Sequence, residues 1–117
     1  YISLTGIYDI IILEGWMLGY KPISHPPQQL NLFNDQLQNY KRLHAYFDTW
    51  INIETDDIEN IFHWRLKAEP AKGMNRNMFQ NFMKPYYEVY RNYHCNIGKK
   101  YIINKNREII SHTSLDF

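Results

Sequence analysis

The chain has 117 residues, of which 44% are hydrophobic and 21% charged, a balance typical of one domain with an ordinary packed core. Thirteen basic and twelve acidic side chains leave a formal charge of +1 without a basic block, which argues against a nucleic-acid binder that works by charge. No apolar run approaches the ~20 residues of a membrane span, and a single cysteine excludes an internal disulfide, so we expect a cytoplasmic protein.

The chain is organised around the stretch Tyr8–Tyr20, which contains the uninterrupted apolar run Ile10–Leu13. Such a run predicts a strand buried on both faces, as in a parallel sheet covered by helices. Glu14 ends the run, and Gly15 and Gly19 are expected to let the backbone turn away tightly. A carboxylate at the end of a buried strand is the pattern of a Walker B position, which holds Mg²⁺ on a nucleotide. The alternative is an ordinary surface glutamate at the end of a strand.

Two helices and a strand follow. Apolar residues at steps of three and four predict an amphipathic helix from Leu30 to Phe47, with His44 packed and hydrogen-bonded on its apolar side. Alternating large residues predict a strand over Phe47–Ile53. Thr55, Asp56 and Asp57 are then suited to open the next helix, because acidic groups are favourable at a helix N-terminus.

In the next helix, Arg65 falls on the predicted buried stripe of apolar residues. It follows Ile58 by seven residues, which is about two helical turns, so the two side chains share one face. A guanidinium there is costly unless it has a partner. One interpretation is a pair between Arg65 and Glu69 within the helix. The other is an arginine that reaches a nucleotide or substrate phosphate with its fork of donors.

In the last third of the chain, the sequence predicts one interrupted helix and a hairpin. A helical stripe of aromatic and methionine residues begins after Asn75, and Pro85 is expected to kink that helix or to start a new one. Strands are predicted at 100–103 and 108–110 around a turn, and residues 111–117 are expected to be loosely held.

Five blocks in this order resemble the D-glycerate 3-kinase family, which is related to the uridine kinases and phosphoribulokinases. The resemblance runs from about Tyr8 to Ile110, and its blocks are Glu14–Pro22, Asp48–Ile51, Trp64–Glu69, Lys72–Met74 and Pro85–Tyr90. It implies an α/β fold in which residues 1–117 are the C-terminal part of a single three-layer P-loop kinase domain, a parallel sheet flanked by helices. The connection before Lys72 is short for this family, so either the loop is trimmed or residues are absent between Glu69 and Lys72.

The resemblance also implies a function, phosphoryl transfer from ATP and Mg²⁺ to a hydroxyl of a small hydroxy acid such as D-glycerate. Catalysis would involve Glu14, as the magnesium ligand directly or through water, and Arg65. Gly15 and Lys72 would bind the nucleotide, with a solvated loop lysine as the alternative for Lys72. Substrate contacts would come from a further set of three residues: Trp16, Asp48 and Tyr87. Asp48 could instead cap or pair, and Tyr87 could instead belong to the core.

The glycine-rich phosphate loop of such kinases is missing from these residues. None of the five glycines opens a G-x-x-x-x-G-K-[ST] stretch, whose backbone N–H groups and lysine hold the phosphates. We therefore expect this chain alone to be inactive, with the phosphate loop upstream. The alternatives are an ATP-binding kinase-like protein with another acceptor, and a non-catalytic interaction module that lacks the phosphate loop.

Overall fold

The computed structural model describes residues 3–68 and 75–115, and in these ranges the chain forms four α-helices and three strands. Two short 3-10 turns, Gln28–Leu30 and Leu37–Asn39, adjoin the first two helices. In chain order the elements are α1 Asn31–Gln36, α2 Tyr40–His44, β1 Ile51–Thr55, α3 Glu59–Ala68, α4 Arg76–Asn92, β2 Gly98–Ile103 and β3 Ile109–Leu115. Within the described ranges no helix is both long and apolar enough to span a membrane.

The apolar run Ile10–Leu13 differs from its prediction. It forms no strand, and its four side chains are between 50% and 86% exposed. A strand needs neighbours that accept and donate its backbone hydrogen bonds, and no described element pairs with this run. The prediction of a buried strand here is therefore wrong for the structure as it stands.

The sheet is mixed rather than parallel, with the strand order β1-β2-β3. β1 and β2 run parallel, with Ile51 opposite Lys99, whereas β2 and β3 are antiparallel, with Tyr101 opposite His112. The antiparallel pair arises because the short turn after β2 reverses the chain. β3 continues to Leu115. Residues 111–115 therefore belong to a strand, and the prediction that they are loosely held is wrong.

The helical stretch that begins at Gln28 is confirmed, although it is divided between 3-10 turns and α-helices and ends at His44. Its buried side chains Leu30 and Leu37 pack with Val89 and Tyr93 from the end of α4. Asn34 lies buried beside them and joins three groups: it accepts hydrogen bonds from the Ile23 amide (2.8 Å) and the Tyr93 hydroxyl (2.8 Å), and donates to the Ile23 carbonyl (3.2 Å). This side chain fixes the segment after Gly19 against the helices.

Helices α3 and α4 form a second core around Phe62, Phe79 and Met83. Side-chain caps define where both helices begin: Asp57 accepts from the Glu59 amide at 2.9 Å, and Asn75 accepts from the Met78 amide at 2.9 Å. α4 continues through Pro85 as one helix of 17 residues, so of the two predicted alternatives at the proline, a kink or a new helix, the new helix is wrong. This continuous helix places Tyr86 and Tyr90 one turn apart.

Candidate functional site

The turn that follows Glu14 is held in an unusual backbone conformation. Residues 16–19 form the turn, and the Tyr20 amide donates to the Met17 carbonyl at 3.1 Å. The left-handed residues are Met17 (φ 74°) and Gly19 (φ 84°), whereas Gly15 is not among them, so only one of the two predicted turn glycines has that role. At Gly19 a Cβ atom would collide with the sulfur of Cys95, and therefore only glycine fits.

Trp16 joins this turn to helix α4. Its ring lies 5.2 Å from the ring of Tyr86 and 5.5 Å from that of Tyr90, centroid to centroid. The Trp16 side chain also acts on the Tyr20 hydroxyl, whose pKa it lowers slightly. The side chain is still 41% exposed, so the ring borders a surface that a ligand can reach. Glu14, two residues earlier, is exposed at the same end of the turn.

A charged pair lies on the inner face of the sheet, near Tyr20. Glu54 on β1 and Lys100 on β2 form a salt bridge of 3.0 Å, and Asn52 donates to the Glu54 carboxylate at 2.9 Å. Burial raises the pKa of Tyr20 to about 12, with smaller contributions from Tyr90 and from the Glu54 carboxylate. Tyr20 therefore stays protonated at neutral pH and can serve as a hydrogen-bonding group.

Arg65 lies on an exposed part of α3, not within its buried side. Burial raises the pKa of Tyr90, and the Arg65 guanidinium opposes that rise, so the guanidinium acts electrostatically on the Tyr90 hydroxyl. The alternative partner that the sequence offered, Glu69, lies outside the described residues. Trp16 packs against Tyr90 and Arg65 acts electrostatically on it, so both predicted site residues affect Tyr90, which lies in a resemblance block but was not predicted as a site residue.

Asp48 and Tyr87 are not brought into this group. Asp48 is exposed in the bend before β1, and Lys72 lies outside the described residues. Tyr87 has other neighbours, Glu59 and Arg91. Burial raises the pKa of Tyr87 and the Glu59 carboxylate raises it further, and the Arg91 guanidinium lies 5.9 Å from the Tyr87 ring. Its buried hydroxyl has no hydrogen-bond partner within the described ranges. Tyr86 and Tyr90, rather than Tyr87, contact Trp16.

A recess of about 380 Å³ lies between α3 and the turn that joins β2 to β3. The Trp64 indole donates to the Lys105 carbonyl at 2.8 Å, and the Arg107 guanidinium lies 5.2 Å from the Trp64 ring. The lining includes two carboxylates, two lysines and neutral polar groups, so their formal charges cancel. Such a wall gives no net attraction for a highly charged phosphate chain.

The sequence holds only weak signals for the site residues that it did not predict. Tyr20, Tyr86 and Tyr90 all lie in blocks that carry the resemblance, but so does Tyr87, and the blocks do not show which tyrosines contact Trp16. Glu54 and Lys100 lie 46 positions apart and meet only because β1 and β2 pair, with Glu54 opposite Ile102 and Asn52 opposite Lys100. Strand pairing, not spacing, therefore creates the inner charged pair.

Comparison with known proteins gives consistent relatives, although no protein-family model matches the sequence. D-glycerate 3-kinase of Arabidopsis thaliana is 32% identical over 103 residues, which are 78% of this chain and 23% of that protein. The probable ATP-dependent kinase TDA10 of Saccharomyces cerevisiae is 33% identical over 102 residues, 73% of this chain and 35% of that protein.

A solved structure shows the same fold. D-glycerate 3-kinase from Cryptococcus neoformans matches 93% of this chain with a TM-score of 0.78 and 23% identity, and the match covers 50% of that protein's chain. The chain therefore spans half or less of the lengths of these three relatives. Over that part, it is a distant homologue of D-glycerate 3-kinase and the related yeast kinases.

Proposed function

We propose that this chain is the C-terminal part of a P-loop kinase domain that transfers a phosphoryl group from Mg-ATP to a hydroxyl of a small hydroxy acid such as D-glycerate. The observation that carries the proposal is the convergence on Tyr90: Trp16, two residues after the candidate carboxylate Glu14, packs against its ring, and Arg65 acts on its hydroxyl. A carboxylate two residues before an aromatic wall, together with a guanidinium that acts on the same wall, suits an anionic acceptor next to a phosphoryl donor.

The exposed apolar surface supports a larger domain. Ile10–Leu13 and the β1 residues Ile51 and Ile53 are at least half exposed, and β1 lies at the edge of the sheet that the described strands form. Exposed apolar runs and open edges favour association with further strands. A complete three-layer domain would cover both and would contribute the phosphate-binding loop. The length of the relatives, two to four times that of the matched part, agrees with this proposal.

Glu14 fits the part of a magnesium ligand within such a domain. Mg²⁺ is commonly held by one or two carboxylates together with phosphate oxygens and water, so a single exposed carboxylate is sufficient from this chain. When bound, the ion neutralises charge that develops on the phosphate oxygens. Arg65 would stabilise negative charge on the transferred group, and Trp16 would exclude water from one side of the acceptor.

The test is ADP release by the complete protein with D-glycerate and a panel of other small hydroxy acids and alcohols. Glu14→Gln should lower kcat at least about a hundredfold with the fold intact, because it removes the charge of the magnesium ligand. Glu108→Gln, in the turn before β3, is a matched control that should retain activity.

Two results would count against the proposal. Unchanged turnover in Glu14→Gln would remove Glu14 from the chemistry. Failure of the complete protein to release ADP with every acceptor would favour the second candidate, a non-catalytic interaction module. That candidate draws on the absence of a G-x-x-x-x-G-K-[ST] stretch from the 117 residues.

A further inference from the structure

The backbone amide of Gly19 donates a hydrogen bond to the side chain of His44, with 3.0 Å between the amide nitrogen and Nε2. The two residues are 25 positions apart, and His44 is the last residue of α2. Because Nε2 accepts, this nitrogen carries no proton, and the imidazole is neutral with its proton on Nδ1. A protonated imidazole has donors on both nitrogens and cannot make this bond.

Gly19 has little room to move away from this contact. It is buried, its φ is 84°, and a Cβ atom there would collide with the Cys95 sulfur and approach the Trp50 ring to 3.3 Å. If His44 no longer accepted, a buried N–H would be left without its partner, which is unfavourable. The turn is therefore held from one side by packing and from the other by a single imidazole nitrogen.

The same turn carries Trp16. Within it the Tyr20 amide donates to the Met17 carbonyl at 3.1 Å, and the Trp16 side chain acts on the Tyr20 hydroxyl. A shift of Gly19 therefore shifts Tyr20 and Trp16, and with them the chain at Glu14.

We propose that His44 is a positioning residue, which holds the turn at residues 16–19, and through it Trp16 and Glu14, only while its imidazole is neutral. The consequence for catalysis rests on the proposed function, whereas the holding of the turn does not. His44 touches neither the carboxylate nor the aromatic wall of the site; it acts through the backbone of Gly19.

The surroundings of His44 favour the neutral imidazole. Lys21 lies beyond the turn, Tyr40 lies on α2 with its ring 5.8 Å away, and the Trp50 ring meets the imidazole edge-on at 5.1 Å. Burial lowers the pKa of His44 from 6.5, and the charge of Lys21 lowers it further. Below pH 6.5 the unfolded chain binds a proton that the folded chain resists, so the contribution of His44 to stability declines with falling pH and is lost below its lowered pKa.

The experiment compares the complete protein with His44→Gln and His44→Phe. Glutamine can accept from the Gly19 amide and does not titrate, whereas phenylalanine keeps the ring packing against Tyr40 and Trp50 but has no acceptor. The readout is protection of the Gly19 amide against hydrogen exchange, measured by NMR from neutral pH into acid. We expect protection to fall about tenfold in His44→Phe at neutral pH. In the wild type it should fall below pH 6.5, and in His44→Gln it should not.

The same variants are assayed for kcat. The kcat of the wild type should fall in acid, and the kcat of His44→Gln should not. The kcat of His44→Phe should be lowered at every pH. Wild-type protection of Gly19 in His44→Phe, or an unchanged acid loss in His44→Gln, would overturn the proposal. Protection that changes as expected while kcat is equal in all three proteins would overturn the link to Glu14. If no acceptor gives ADP release, the proposed function fails and the exchange data still decide whether His44 holds the turn.

Discussion

The ring of Trp16 lies 5.5 Å from the ring of Tyr90, and this contact joins the turn after Glu14 to the second half of helix α4. Trp16 also packs against Tyr86, one helical turn earlier. The turn thus rests on a helix face whose register is fixed elsewhere, by the buried side chains Phe79, Met83 and Val89. The position of the candidate carboxylate follows from this packing.

Replacing Trp16 tests the contribution of these ring contacts to stability. Trp16→Ala removes both ring contacts, and we expect the free energy of unfolding to fall by about 1–2 kcal/mol. Trp16→Phe keeps an aromatic ring and should lose less. Urea unfolding of the complete protein measures both. Equal stability of the alanine variant and the wild type would show that the ring contacts do not hold the turn.

The high pKa of Tyr20 predicts a loss of stability in alkali. The unfolded phenol ionises near pH 10.0, whereas the folded one resists ionisation up to about pH 12. The folded protein therefore binds more protons than the unfolded chain in this window, and stability falls as pH rises through it. Unfolding in denaturant at a series of pH values should show a shallower fall for Tyr20→Phe. Tyr46→Phe, at a position that is 79% exposed, is the control that should follow the wild type.

The action of Arg65 on Tyr90 can be measured separately from catalysis. Arg65→Met removes the charge that opposes the rise in the pKa of Tyr90, so this phenol should ionise at higher pH than in the wild type. Tyrosinate absorbance, compared with Tyr90→Phe in the same background, identifies the group. In the proposed function, Arg65→Met should also lower kcat by at least about tenfold, because a charge near the transferred group is lost.

Arg65→Lys keeps the charge but not the planar fork of donors. We expect it to preserve the ionisation of Tyr90 better than Arg65→Met and to recover only part of kcat. An unshifted Tyr90 in Arg65→Met would contradict the electrostatic contact, and a shifted Tyr90 with full activity would separate the contact from catalysis.

The local sequence was sufficient for the elements that form from near neighbours. The polar residues 55–57 and the apolar period after Asn75 predicted where α3 and α4 begin, and in the structure Asp57 and Asn75 accept hydrogen bonds from amides at these helix starts, within three residues of themselves. The turn after β2 was predicted from its polar composition, and the Asn104 side chain stabilises it by accepting from the amides of Asn106 and Glu108.

The sequence by itself determined an α/β chain, its relation to D-glycerate 3-kinase, and the identity of Glu14, Trp16 and Arg65 as residues worth locating. Only the tertiary structure decided that Ile10–Leu13 has no strand partner among residues 3–68 and 75–115, because hydrogen bonding between strands depends on distant segments. It also decided that Trp16 packs against Tyr90, that Arg65 acts electrostatically on Tyr90, and that the Gly19 amide donates to His44. These contacts join residues 25 to 74 positions apart. They depend on how distant segments pack, so no local sequence pattern predicts them.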